Sequence, residues 1–138
     1  NRCLKLIEVF DDLYELGEFN DALKFTDEIS KCFKEVGSEV EYLKFLLKVA
    51  DCYYQLGRYK EALNKLVEAE DIFNEVVNQE YLKVLLYHDI CWTYKQLGND
   101  EKAYEYLRRG YELSVKKGYK DMVRIFKELA QEWRIVLN

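Results

Sequence analysis

One phrase occurs three times in this 138-residue chain. It reads Leu16-Gly17-Glu18-Phe19-Asn20-Asp21-Ala22-Leu23, then Leu56-Gly57-Arg58-Tyr59-Lys60-Glu61-Ala62-Leu63, then Leu97-Gly98-Asn99-Asp100-Glu101-Lys102-Ala103-Tyr104. Its glycines stand 40 and 41 residues apart. A fixed period in that range marks a stacked array of supersecondary units, not one irregular globule. Arrays present long surfaces to partners. The phrase therefore predicts a binding module, not an enzyme, and calls for no cofactor.

The length suits one domain, residues 1–138, with a continuous core. Proline is absent, which favours long uninterrupted helices. The apolar residues recur at helical spacing throughout. Seven helices are predicted, at about 1–16, 19–36, 39–56, 59–77, 79–97, 100–117 and 119–137. Gly17, Gly57 and Gly98 each end a helix where the backbone turns left-handed, and Gly37 and Gly118 close two more. Ser38 and Glu41 have the spacing of a capping box. Short turns make consecutive helices antiparallel neighbours. The expected repeats are about 1–37, 38–77 and 78–118, with a capping or partial fourth at 119–138.

Core positions are read relative to each glycine. Leu46, Val49, Ala50, Tyr53 and Leu56 form one stripe; Tyr87, Ile90, Cys91, Tyr94 and Leu97 form its equivalent. Leu6, Val9, Phe10, Leu13 and Leu16 take the same places in the first unit. Ala22, Ala62 and Ala103 fall where a small side chain lets the next helix cross closely. In the last helix Phe126, Leu129, Ala130 and Trp133 are assigned to the core.

The small residue (Ala50, Cys91), the tyrosine three later (Tyr53, Tyr94), the glycine, the aromatic two beyond it (Phe19, Tyr59) and the alanine together resemble the tetratricopeptide repeat (TPR) family. The resemblance implies an all-α, right-handed alpha-alpha superhelix (a TPR solenoid) of three helix hairpins plus a C-terminal helix. Two departures stand out: the period exceeds the usual length of about 34, and the end-of-repeat proline is missing. Long repeats of this kind resemble those of kinesin light chains and of bacterial peptide-pheromone regulators. Endings such as Leu113-Ser114-Val115-Lys116-Lys117-Gly118 lean toward the regulators.

In proteins that resemble this one, a second stripe on the first helix of each hairpin lines a peptide-binding groove. Here that stripe carries Asp11 and Tyr14, then Lys44, Leu47, Asp51 and Tyr54, then His88, Trp92 and Lys95. The same register continues through Arg124, Lys127, Gln131 and Arg134. Tyr14, Tyr54 and Trp92 are candidate aromatic anchors. The aspartates make one end acidic, and the lysines and arginines make the other basic, suited to a partner's carboxylates. The alternative is a stripe that is partly buried, partly solvated and empty. Chaperone-tail binding is excluded by Ile7, Asp11, Leu85 and Asp89, which stand where that class carries lysine, asparagine or other basic residues. Pheromone binding is disfavoured because the groove amides are Gln55, Gln96 and Gln131, without asparagine.

His88 is the single histidine; alone it makes neither a metal site nor a catalytic dyad. The four cysteines, Cys3, Cys32, Cys52 and Cys91, lack paired spacing and read as reduced, core-packing thiols with no metal. That reading implies a reducing, cytoplasmic setting. The net charge of −5 gives no case for nucleic-acid binding, and no stretch has the length of a membrane span. Charge is uneven: residues 1–38 carry 5 basic and 9 acidic side chains, and residues 119–138 carry 4 and 3. The chain begins at Asn1 inside a helical pattern and reads as part of a longer protein, such as the sensor or assembly part of a bacterial regulator. The predicted function is a protein- or peptide-binding scaffold. The alternative is a spacer or self-association module, including a possible homodimer.

Overall fold

Each hairpin begins with the problem of ending a helix. The last carbonyls of a helix lack N–H partners, and a left-handed residue lets the chain fold back to supply them. Gly17, Gly57, Gly98 and Gly118 all have positive φ, between 72° and 79°. At the second of these turns, the Gly57 and Arg58 N–H groups donate to the carbonyls of Tyr54 and Tyr53 at 2.9 and 2.8 Å. The bonds repeat at Gly17 and Gly98.

The computed structural model describes residues 1–36, 38–75 and 78–137. Eight helices and no strand occur among them, and the fold is all-α, of the helical-repeat type. In order these are α1 (Arg2–Glu15), α2 (Phe19–Leu23), α3 (Thr26–Val36), α4 (Glu39–Gln55), α5 (Tyr59–Phe73), α6 (Glu80–Gln96), α7 (Asp100–Lys117) and α8 (Lys120–Glu132). The chain divides into two compact units, Asn1–Ile72 and Phe73–Asn138. The expected closure at Gly37 and the last residues of the fifth helix, 76–77, lie outside the described residues.

In the first unit, Phe10, Ala22, Ile29, Phe45, Val49 and Cys52 form a buried cluster. Phe10 meets Phe45 edge-on, with ring centroids 4.9 Å apart. Ala22 and Ala62 are fully buried, as their crossing role requires. Val9 and Leu16, expected in the core, are instead 42% and 75% exposed. Nothing among the described residues covers that side of α1.

The helix expected over 19–36 is two helices. The Lys24 and Phe25 N–H groups bond three residues back, to Asp21 and Ala22, a local 3₁₀ tightening that separates α2 from α3. Ser38 stands at the N-cap of α4, but its side chain accepts no cap hydrogen bond. The Glu41 carboxylate pairs with Lys44 at 3.4 Å instead, so the expected capping box does not form.

Cys3 and Cys32 form a disulfide that ties α1 to α3, with Cα atoms 5.8 Å apart. This corrects the expectation of four thiols and removes the cysteine argument for a reducing compartment. Sequence spacing could not show it, because the two residues meet only once α3 folds back along α1. Cys52 and Cys91 are buried thiols. Burial pushes the Cys52 thiol up to about 12 and raises Cys91 as well, so both pack as small apolar groups.

In the second unit, Val84, Leu86, Ile90, Cys91, Ala103, Leu107 and Phe126 are buried. Two buried hydroxyls are satisfied within their own helices: Thr93 donates to the Asp89 carbonyl at 2.8 Å and Ser114 to that of Gly110 at 2.7 Å. α7 and α8 meet at Gly110, where an added Cβ would run into the fully buried Phe126 ring.

Two stability outcomes follow. Reducing the disulfide, or replacing Cys3 and Cys32 by serine, releases a loop of sequence separation 29; the chain-entropy relation gives a loss of about 3.5 kcal/mol, read as a lower denaturant midpoint for the first unit. Gly110→Ala gains helix propensity but forces the Phe126 ring aside, so urea titration should show a net loss of about 1–2 kcal/mol.

Candidate functional sites in the two units

Of the stripes predicted on the first helices, those of α1 and α4 meet within the first unit, whereas that of α6 meets Phe126 and Trp133, residues assigned to the core of the last helix from their spacing. In the first unit the Tyr14 hydroxyl of α1 donates to Asp51 Oδ2 of α4 at 2.6 Å. Gln55 Nε2 donates to the other oxygen of the same carboxylate at 3.2 Å. Lys48 Nζ pairs with Asp11 Oδ1 at 2.9 Å and lies 5.9 Å from the Tyr14 ring centre. Lys48 was missed by sequence reasoning: it sits one position past the stripe, and its long side chain reaches across. Tyr54 meets Tyr59 edge-on at 5.1 Å. Lys44 is exposed beside Glu41, and Leu47 is half-buried.

This polar face is largely committed to itself. Asp11 is neutralised by Lys48, and Asp51 accepts two hydrogen bonds. Both carboxylates of the expected acidic end therefore already have partners, Asp11 a cation and Asp51 two uncharged donors.

The second unit differs. Trp92 of α6 meets Trp133 edge-on, with centroids 5.1 Å apart, and Tyr104 of α7 lies 6.5 Å from Trp133. Lys95 Nζ stands 5.2 Å from the Tyr104 ring centre and 5.3 Å from that of Trp133. It donates to Asp100 at 3.1 Å and to the Tyr104 hydroxyl at 3.4 Å. The Asp100 hydrogen bond, reinforced by Tyr104, raises the Lys95 pKa and keeps the ammonium charged. His88 lies edge-on to Phe126 at 5.8 Å, with Nδ1 3.5 Å from Asp89. Trp133, assigned to the core from its spacing, is half-buried and shared between α6 and α7.

α8 ends earlier than expected. Arg134 has φ 57°, and the Arg134 and Ile135 N–H groups donate to Gln131 and Ala130. These are the bonds made at Gly57 and Arg58. Arg134 therefore occupies the turn position that glycine holds elsewhere, and Gln131 takes the stripe position of Tyr14, Tyr54 and Lys95. Counting α8 from the turn shifts its register by three residues from the sequence expectation. Arg124, Lys127 and Gln131 line an open cleft of about 920 Å³ between α7 and α8, with Tyr111, Val115, Val123 and Ile135.

Among the described residues no cluster of three His, Cys, Asp or Glu side chains could hold a metal. No helix there is long and apolar enough to cross a membrane.

Coupling across the α1–α4 face can be measured directly. A Tyr14→Phe, Asp51→Asn double-mutant cycle should return about 0.5–1.5 kcal/mol for this charge-assisted bond, and strict additivity would show that the bond contributes nothing.

Residues 85–114, covering most of α6 and α7, match the family model of the tetratricopeptide repeat. No curated protein and no solved structure matches the chain significantly. Tetratricopeptide repeats are typically non-catalytic scaffolds for protein–protein interaction, and the stretch that matches one is the α6–α7 hairpin.

Proposed function

We propose that this tetratricopeptide-repeat chain docks a partner protein or peptide on the face of its second unit that carries Trp92, Lys95 and Trp133. The carrying observation is the pair of half-buried indoles grouped with a tyrosine and a charged lysine. Such rings bring large contact area with little side-chain freedom to lose, the property that enriches tryptophan in binding hot spots. Lys95 gives the face a cation held in place by Asp100, suited to a partner's acidic side chain or terminal carboxylate. Arg124 and Lys127 line the α7–α8 cleft and extend that basic character. The α1–α4 face of the first unit is a weaker candidate, because both tryptophans lie in the second unit. A sensor or assembly role in a larger bacterial regulator is the finer form of this reading.

Both tryptophans of the chain belong to this face, so intrinsic emission reports on it. Titrating a peptide library should find ligands that shift or quench the emission, and Trp92→Phe should weaken them about tenfold with helicity intact. Tight ligands that leave the emission of the native protein unchanged would overturn the assignment.

A further inference from the structure

The two units differ in charge as well as in surface. Residues 1–72 carry 10 basic and 16 acidic side chains, a net −6, and residues 73–138 carry 11 and 10, a net +1. Two surfaces carry part of this difference. On α1, Glu8, Asp12 and Glu15 are exposed, and they share one side of the helix with Leu4 and Leu16, which are 62% and 75% exposed. No ion pair holds these three carboxylates among the described residues. Lys5 is an exposed cation within this surface, and the 42%-exposed Val9 borders it. On the second unit, the α7–α8 cleft combines Val115, Val123 and Ile135 with Lys120, Arg124 and Lys127. Glu128 is an acidic group on the cleft wall.

The two surfaces match in detail. The acids of α1 and the cations of α8 are both spaced i, i+4, i+7, so each triad spreads over about 10 Å of one helix side. Each lies beside exposed apolar surface, Leu4 and Leu16 on α1 and Val115 at the cleft. We infer that the chain associates head to tail: α1 of one copy seats in the α7–α8 cleft of a second copy, acids against cations and leucines against valines. This contact is heterologous: in a joined pair, one copy keeps its cleft and the other its α1 unused. Further copies add at those free ends, so the contact builds assemblies longer than a dimer. Its charge pairs lie at an exposed rim, so salt weakens it.

Sedimentation velocity over a concentration series tests the inference. The expected result is concentration-dependent growth beyond dimer at low salt, receding by about tenfold in apparent affinity at about 500 mM salt. The triple reversals Glu8→Lys/Asp12→Lys/Glu15→Lys and Lys120→Glu/Arg124→Glu/Lys127→Glu should each abolish growth, with circular dichroism confirming that both remain helical. Mixed together, they present opposite charges at every junction between unlike copies and should associate again, in alternation. Combined in one chain, they restore opposite charges and should recover association to within about threefold of the native chain. A native chain that stays monomeric at every concentration in low salt overturns the inference. Association that survives both reversals, or that the combined variant fails to recover, overturns it equally.

Discussion

A helix that must stop without losing its last hydrogen bonds needs a residue able to turn left-handed. Gly17, Gly57 and Gly98 meet that need at the ends of α1, α4 and α6. The same two bonds close each turn, so the residues preceding it come to equivalent rotational positions on their helices. That common phase decides what faces a neighbour and what remains on the surface. Ala50 and Cys91 are buried at equivalent distances before the turn, while Tyr14, Tyr54 and Lys95 lie on the half-exposed stripe. The surface chemistry of each unit depends on this phase being held.

α8 shows how far the device extends. Arg134 takes the left-handed place without being glycine, a strained conformation for an L-residue. Two of the bonds that satisfy the helix end are still made. The early stop sends Ile135 and Leu137 to the cleft wall rather than along another turn of helix. Position 127, equivalent to the buried Ala50 and Cys91, carries an exposed lysine. α8 thus has a cationic surface where α4 and α6 bury a small residue.

Most of the helical plan was legible in the sequence. The glycines located the turns, and the alanines marked buried positions on the helices that follow them. The pairing of the α1 and α4 stripes was also legible, because both were counted from the same turn residue. The interruption between α2 and α3 was not: residues 19–36 keep an apolar period across Lys24 and Phe25, and the tightening is a matter of backbone bonds. Val9 and Leu16 fit the core period but are exposed, because periodicity identifies an apolar side of a helix without identifying what lies against it. The Ser38–Glu41 spacing predicted a cap, yet the Glu41 carboxylate pairs with Lys44, a local competition that a motif does not resolve.

The sequence by itself determined the all-α class, the hairpin turns and the stripes of α1, α4 and α6, since these follow from backbone sterics and helical phase acting over a few residues. Tertiary structure decided which of those residues remain available. It joined Cys3 to Cys32 across 29 positions, tied Asp11 and Asp51 to partners on neighbouring helices, and brought Trp133 onto Trp92. Each of these needs two helices at a definite separation and rotation, which the spacing within one helix does not encode.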